Sequence, residues 1–521
     1  MPVPVTSAPT TSALPTSELG EDNNLLARIL SHGVGRPGDE ALRCGSASLN
    51  WQSLREAVLQ TAGSLAPTVT EGSGRIGLLG NSSVELAVAY LAIVAAGGCA
   101  VPLPVSAHRD ALSGMIADCQ PDLIIAHQEN EQLVRDVSAV PVVAVNPGEG
   151  LPRSFLRNEP LEHARVCAPE ADFNIIYSSG TTGRAKGIVH SHAMRYRQAA
   201  RSLFGIDQGS TMLLATPLYS NTTLMPLLAT LFHGGRAILM PKFDAELYLG
   251  LAEAERVTHT MLVPVQYQRI LESDSFGERD LSAFRMKQCT GAPLSAAVKR
   301  AAVERWPGRF VEIYGLTEGG CTCILDVAAY PHKAHTVGKP AAGNDIRIID
   351  EDGRFLPPEM RGEIVGRSAA MMSGYFRNDA ANQAFYWRDG EGNVFHRTGD
   401  IGMIDADGFL VLLDRKKDMI ISGGFNIYAS DLEEKLLSHP DVADAAVIAV
   451  PSERWGETPL GLVVVRQGSV VDPHELLEWT NAQLGKMQRL SGVELRDNLP
   501  RSNVGKILKQ DLRRPYWEHR T

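Results

Sequence analysis

Tyr177-Ser-Ser-Gly-Thr-Thr-Gly-Arg-Ala-Lys-Gly187 holds three glycines, four Ser or Thr hydroxyls and one lysine. Before it, Phe173-Asn-Ile-Ile-Tyr177 is apolar and β-branched, which predicts a short buried strand. After it, Ile188-Val-His-Ser-His192 turns apolar again and leads into a helix predicted from Ala193. A loop of this composition suits polyphosphate. Glycines let backbone N–H groups approach an anion, hydroxyls donate to it, and Lys186 or Arg184 supplies charge. It is not a Walker A loop, because Gly180 and Gly183 are too close together and Gly187 stands where Ser or Thr would follow the lysine.

Working outward, short apolar runs alternate with helical stretches. Arg75–Leu79, Cys99–Pro102, Asp122–Ala126 and Val140–Val145 read as strands, with helices over 83–96 and 107–119. The rhythm returns in Thr211–Ala215, Arg236–Met240, Thr260–Val263, Arg285–Thr290 and Phe310–Tyr314, with a helix over Leu294–Trp306. Such alternation predicts parallel sheet with crossover helices, with ligands at the carboxyl ends of the strands. Beyond about residue 338, Asp345–Asp350, Gly362–Gly366 and Gly408–Leu413 are short strands with Asp-Gly turns, a small antiparallel unit. Asp414-Arg-Lys-Lys-Asp418 reads as a charged break. An α+β segment follows, with helices near 430–438 and 473–487 and strands 445–450 and 461–466.

The chain has 521 residues, more than one core accommodates, so at least two domains are expected. A net charge of −10 argues against a general nucleic-acid or membrane-surface binder. Seven scattered cysteines predict reduced thiols and a cytoplasmic protein. Cys321 and Cys323 are spaced too closely for a metal pair. Residues 1–18, rich in Pro, Thr and Ser, predict a disordered tail. The apolar run Leu86–Leu103 is broken by Gly97, Gly98 and Pro102, whereas a membrane span needs about 20 apolar residues in a row.

Five further motifs accompany the loop: Tyr314-Gly-Leu-Thr-Glu-Gly-Gly320, His396-Arg-Thr-Gly-Asp400, Asp414-Arg415, Ile421-Ser-Gly-Gly-Phe-Asn-Ile-Tyr428 and Leu499-Pro-Arg-Ser-Asn-Val-Gly-Lys506. Their wording and order resemble the adenylate-forming (ANL) superfamily, in its acyl-CoA synthetase branch of fatty-acid or aryl-acid CoA ligases. Ala185 replaces the usual proline before the lysine. The resemblance implies an α/β fold: a large N-terminal AMP-binding domain of parallel and mixed sheets with a small β-barrel-like unit (19–414), and a small mobile α+β lid (415–521) hinged near Lys417.

It also implies roles. Ser178, Ser179, Gly180, Thr181, Thr182, Gly183 and Lys186 would wrap the phosphates of ATP, with Thr182 among the catalytic groups. Gly291, Ala292, Pro293 and Glu312 would meet adenine, with Tyr314 and Gly315 beside it and Tyr314 stacked on the ring. Thr317 would bond phosphate, and Glu318 would hold Mg2+, for which one carboxylate with phosphate oxygens suffices. Asp400 would accept from the ribose hydroxyls and Arg415 would contact the nucleotide. Ser422, Gly423, Gly424 and Phe425 would line the pantetheine tunnel for CoA. Lys506 would be the catalytic cation, stabilising charge as a carboxylate attacks the α-phosphate.

For the acid, the segment Thr216–Leu224 matches the acyl-pocket segment of the superfamily. It carries no carboxylate to pair an α-ammonium, which disfavours an α-amino acid. Tyr219, Ser220, Val263, Gln266, Tyr267 and Thr290 are expected to line the pocket. No Arg or Lys lies within Leu213–Leu231, although Arg236 is near. A neutral aliphatic or aromatic tail fits best. The expected partners are a small carboxylic acid, ATP and CoA, with no nucleic acid and no membrane span. A homodimer, a carrier-protein pantetheine as acceptor, a luciferase-like oxygenase and a catalytically silent homologue stay open at this stage.

Overall fold

The computed structural model describes residues 24–69, 74–178, 185–201, 204–422, 425–485, 488–502 and 505–518. The expected tail, 1–18, and the loop residues Ser179–Arg184 lie outside the described residues.

The strand–helix alternation builds two large sheets. One has seven strands, in the order Gly374–Tyr375, Lys186–Ser191, Asp172–Ser178, Cys99–Leu103, Arg75–Leu79, Leu123–His127, Val142–Val145. The other has nine, running from Lys339–Pro340 through Thr322–Asp326, Arg309–Gly315, Met286–Thr290, His259–Leu262, Thr211–Leu214 and Arg236–Leu239 to Glu40–Cys44 and Ala47–Asn50. Their inner strands pair in parallel, as crossover helices require.

One core joins the two sheets. Ile76, Leu78 and Ala100 of the first and Leu42, Met212, Leu214 and Ala237 of the second share a cluster with the helices between them. Helix Val84–Ala95 lies at its centre and is buried on every side, which explains why it is apolar all round rather than amphipathic. Ser83 caps it, accepting from Leu86 N at 3.2 Å. Glu85 is buried with it and accepts from the backbone N–H groups of Gly148 (2.8 Å) and Gly150 (3.2 Å), so the carboxylate that heads the run is an internal brace.

The antiparallel unit after residue 338 consists of Asn344–Ile349, Gly362–Ser368, Val394–Ile404, Tyr386–Arg388 and Leu410–Arg415. His396–Asp400 lies within the eleven-residue strand Val394–Ile404. The charged break begins later than expected, because Leu410–Arg415 pairs through Asp414 and Arg415 with Ile401 and Asp400. The turn itself is 416–418, closed by the Arg415 carbonyl, which accepts from Asp418 N (2.8 Å) and Met419 N (3.0 Å). The fourth sheet, Phe425–Ile427, Ile420–Ser422, Gly456–Val465, Val442–Ser452 and Gly492–Leu495, takes all its strands from beyond that turn. Helices Ala429–Leu437 and Pro473–Ala482 fall close to expectation. Among the described residues no helix is long and apolar enough to cross a membrane, and none of the cysteines forms a disulfide.

One glycine is dictated by packing. Gly319 has φ +71°, and a Cβ there would run into the carbonyl oxygen of Ala370. This approach lets Met372 N donate to the Glu318 carbonyl at 2.8 Å, which ties the Tyr314–Gly320 loop to the neighbouring segment. Gly319→Ala is therefore expected to lower stability by roughly 1–3 kcal/mol from backbone strain alone, read as an earlier thermal unfolding midpoint.

Candidate active site

The strand Asp172–Ser178 returns antiparallel as Lys186–Ser191, with Tyr177 opposite Gly187 and Ser178 opposite Lys186. The glycine-and-threonine stretch is thus the connection of a hairpin. At its base the Tyr177 hydroxyl donates to Asp118 at 2.5 Å, an anchor invisible in the motif.

Strand Gly374–Tyr375 pairs with the returning strand and carries a residue the sequence reading missed. The Tyr375 hydroxyl donates to Glu318 Oε1 at 2.9 Å, and Lys186 Nζ lies 4.9 Å from the centre of the Tyr375 ring. One aromatic side chain therefore touches both the loop lysine and the expected metal ligand. Burial and the neighbouring Glu318 carboxylate raise the Tyr375 phenol's pKa, so it stays a donor. Because outer-shell partners of metal ligands are worth roughly 10–100-fold in affinity, Tyr375→Phe is expected to raise the magnesium requirement of nucleotide turnover by about tenfold. A magnesium titration of activity measures it.

Behind Thr317 runs a buried polar chain, also unread in the sequence. The Arg195 Nε–H (2.8 Å) and the Tyr90 hydroxyl (3.2 Å) both donate to Asn174 Oδ1. The Asn174 amide nitrogen, 3.2 Å from His190 Nδ1, is then the donor to that ring, and His190 Nε2–H donates to the Thr317 carbonyl at 2.7 Å. Burial, reinforced by the Arg195 cation, holds the His190 imidazole well below its ordinary pKa, so it is neutral. Arg195 also donates to Asn221 Oδ1 (2.9 Å), in the first turn of the helix that follows Tyr219 and Ser220.

Asp400 is nearly buried. Tyr314 donates its hydroxyl to Oδ2 at 2.8 Å, and Arg415 Nε lies 2.5 Å from Oδ1. Each oxygen keeps one lone-pair site for a further donor. Tyr314 is buried beside Cys321 and Cys323. Glu312 is buried in an ion pair with Lys299 and accepts from Leu294 N at 3.4 Å. Burial pushes its carboxyl up against the pull of Lys299. It braces the Gly291–Pro293 turn from behind.

Of the residues expected at the acyl pocket, Gln266 is buried, accepting from Val263 N at 3.1 Å and donating to the Ala215 carbonyl at 2.8 Å. Thr290 donates its hydroxyl to the Ile313 carbonyl at 2.9 Å. Tyr219 OH lies 3.4 Å from Ser106 Oγ. Ser220 caps its helix, accepting from Thr222 N at 3.2 Å. Arg236, the nearest basic residue in sequence, is held between Glu40 and Glu255, both at 2.6 Å.

Lys506 reaches this assembly from the far end of the chain. The adjoining Gly505 packs against the Val265 side chain of helix Pro264–Leu271. Arg501 braces the loop, donating to the Gly505 carbonyl at 2.7 Å and pairing with Asp444 at 2.5 Å. Burial, with the Arg415 cation adding and Asp400 opposing, lowers the Lys506 ammonium's pKa to about 8. The strand pair at Ser422 and Phe425 lies just past the turn at 416–418; Gly423 and Gly424 are outside the described residues.

Lys506 is thus brought towards the edge formed by Tyr314, Asp400 and Arg415. The chain belongs to the AMP-binding enzyme family, whose family model matches residues 31–376, with the family's C-terminal domain matching 431–506. It is 34% identical over 485 residues to a feruloyl-CoA synthase of an Amycolatopsis species, covering 92% of this chain and 96% of that one. It is 30% identical over 501 residues to an indoleacetate–CoA ligase of Aromatoleum aromaticum, again with 92% and 96% covered. Among solved structures, ATP-bound MatB from Rhodopseudomonas palustris superimposes with a TM-score of 0.87 at 28% identity, covering 95% of this chain and 99% of that one.

Proposed function

We propose that this AMP-forming acid–CoA ligase takes a neutral aromatic carboxylic acid, joins it to AMP with release of pyrophosphate, and passes the acyl group to the CoA thiol. The acid's carboxylate oxygen attacks the α-phosphorus of ATP and pyrophosphate leaves. The thiol sulfur then attacks the acyl carbon, AMP leaves, and the thiol proton is released. The observation that carries the reading is the packing of the Gly505–Lys506 loop, from the end of the chain, against Val265 of helix Pro264–Leu271, which brings Lys506 towards Asp400 and Arg415.

In this reading Lys506 offsets charge on the carboxylate and α-phosphate oxygens as they meet. Asp400 orients the ribose, and Lys186 and Thr317 hold the phosphates, with Thr182 in the loop outside the described residues. Glu318 suits magnesium: among the described residues no group of three His, Cys, Asp or Glu gathers for an ion, so a single carboxylate completed by phosphate oxygens is the coordination the donors allow. When bound, the ion neutralises phosphate charge. Ser422 and Phe425, paired across two short strands, with Gly423 and Gly424 between them outside the described residues, are the residues assigned to the CoA path, and the division of the lobes is assigned to 415–418.

Two features favour a neutral tail: Arg236 is held between two glutamates, and the segment 216–224 carries no acid. The two relatives named above take their names from acids that carry an aromatic ring, which favours a ring over an aliphatic chain. A panel of aryl, aryl-alkyl and fatty acids with ATP, Mg2+ and CoA, read as thioester by mass, tests this. Turnover of aryl acids at least tenfold above fatty acids is expected. A preference for fatty acids of any length would reverse the substrate assignment, and no acid-dependent AMP at all would remove the function. The same reading implies a cytoplasmic enzyme.

A further inference from the structure

We propose that His190 is a positioning residue: with its ring proton fixed on Nε2, it holds the Thr317–Glu318 peptide in the orientation that presents those two residues to the phosphates of ATP. This rests on the roles proposed above for Thr317 and Glu318.

The place of the proton follows from a one-way chain of hydrogen bonds. An arginine side chain has no acceptor, so Arg195 Nε, 2.8 Å from Asn174 Oδ1, is the donor. The Tyr90 hydroxyl gives the same oxygen a second donor at 3.2 Å. Asn174 therefore turns its NH2 towards His190 Nδ1, which accepts, and the single ring proton lies on Nε2, 2.7 Å from the Thr317 carbonyl. Burial and the Arg195 cation keep a second proton off the ring. Arg195 itself is fully buried, pairs with no carboxylate among the described residues and leaves Nη2 without a partner. Its other bonds go to the side-chain oxygens of Gln198 (2.6 Å) and Asn221 (2.9 Å). A buried cation held this way is a poor source of stability. What it supplies is direction, because each of these bonds fixes which way an amide faces.

At the other end of the chain, four successive carbonyls of the Thr317 loop are taken. Leu316 O accepts from Gly319 N at 3.0 Å and Glu318 O from Met372 N at 2.8 Å. Gly319 O accepts from His396 Nδ1 at 3.3 Å. The Thr317 carbonyl is the one that depends on His190. A peptide is planar and trans, so a carbonyl drawn to His190 turns the Glu318 N–H to the opposite side and sets ψ of Thr317 and φ of Glu318 together. A ring with its proton on Nδ1 would instead set a bare nitrogen against the carbonyl oxygen and push the peptide out of that orientation.

The test compares His190→Asn and His190→Gln in the full chain. Asparagine puts an acceptor where Nδ1 stands and nothing where Nε2 stands, whereas the glutamine amide reaches the place of Nε2 and donates there. Calorimetry reads the dissociation constants of ATP with Mg2+ and of adenosine, which has the base and ribose but no phosphate. His190→Asn is expected to bind ATP about tenfold more weakly, the worth of one buried hydrogen bond, and adenosine within about twofold of the parent chain. His190→Gln should bring ATP back to within about threefold of the parent. Equal weakening for both ligands, no change for either, or a glutamine variant no better than the asparagine one overturns the proposal. The ring-nitrogen spectrum of the parent chain carrying isotope-labelled histidine, with His190 identified by the signal missing from His190→Gln, is expected to show Nε2 protonated and Nδ1 bare. The reverse tautomer overturns the proposal even where His190→Asn does not fold. A parent chain that binds adenosine but gains nothing from the phosphates of ATP removes the roles given to Thr317 and Glu318, and the spectrum then decides the ring's contact alone.

Discussion

Replacing Lys506 by alanine is expected to slow acid-dependent pyrophosphate exchange by about 10²–10³-fold, the worth of one preorganised donor aimed at developing charge. Formation of thioester from preformed acyl-AMP should change far less, because the attacked bond then no longer includes the departing pyrophosphate. The pH profile separates this role from general damage. Burial disfavours the charged ammonium, so its proton is lost earlier than from an exposed lysine, near pH 8. Only the protonated form offsets anionic charge. Exchange in the unaltered enzyme should therefore be full below that value and fall as pH rises through it. The groups facing Lys506 are Arg415 and Lys417, which favour proton loss, and Asp400 and Asp418, which oppose it. Lys506→Arg keeps the charge and should shift the falling limb upward. A Lys506→Ala enzyme that exchanges at the full rate, or keeps the same alkaline limb, assigns that role elsewhere.

Glu318→Gln should be nearly as damaging, with exchange about 10²-fold slower at ordinary magnesium, in line with loss of one charged contact at a phosphoryl centre. The substitution keeps the side chain's shape and an oxygen to accept from Tyr375, so folding should be intact. It removes the charge that a hard cation prefers. Raising magnesium should recover part of the rate. The Tyr375→Phe enzyme should recover more completely, because it retains the carboxylate and loses only the hydrogen bond that aims it. Full activity of Glu318→Gln at low magnesium would place the ion on other donors.

Much of the architecture is legible locally. The alternation of apolar runs and helical stretches predicts parallel sheet, and the inner strands of both large sheets are parallel. The elements near the ends are not legible. The sequence reading leaves residues 24–65 unassigned, yet they supply two helices and the hairpin Glu40–Asn50. That hairpin's first strand pairs with Arg236–Leu239, nearly two hundred residues on. Periodicity reports which face of a segment is apolar and carries no information about which distant strand covers it. The same limit applies to Glu312: it lies in the middle of strand Arg309–Gly315, and nothing in the local pattern shows that Lys299 is folded against it.

What the chain determined by itself is the set of chemical groups and their local settings: a hydroxyl- and glycine-rich hairpin after a buried strand, an acid and an aromatic beyond another strand, and a lysine loop near the end. These are short-range facts, because backbone preferences and turn chemistry act over a few residues. Only the tertiary structure decided which groups meet. Tyr375 under Lys186 and on Glu318, Arg195 and His190 behind Thr317, Gly505 on Val265 and Arg513 on the Lys417 and Asp418 carbonyls join residues far apart in the chain. Each contact exists because burial leaves a polar group without water, and the partner it then takes is whichever one packing of the whole chain has brought within reach.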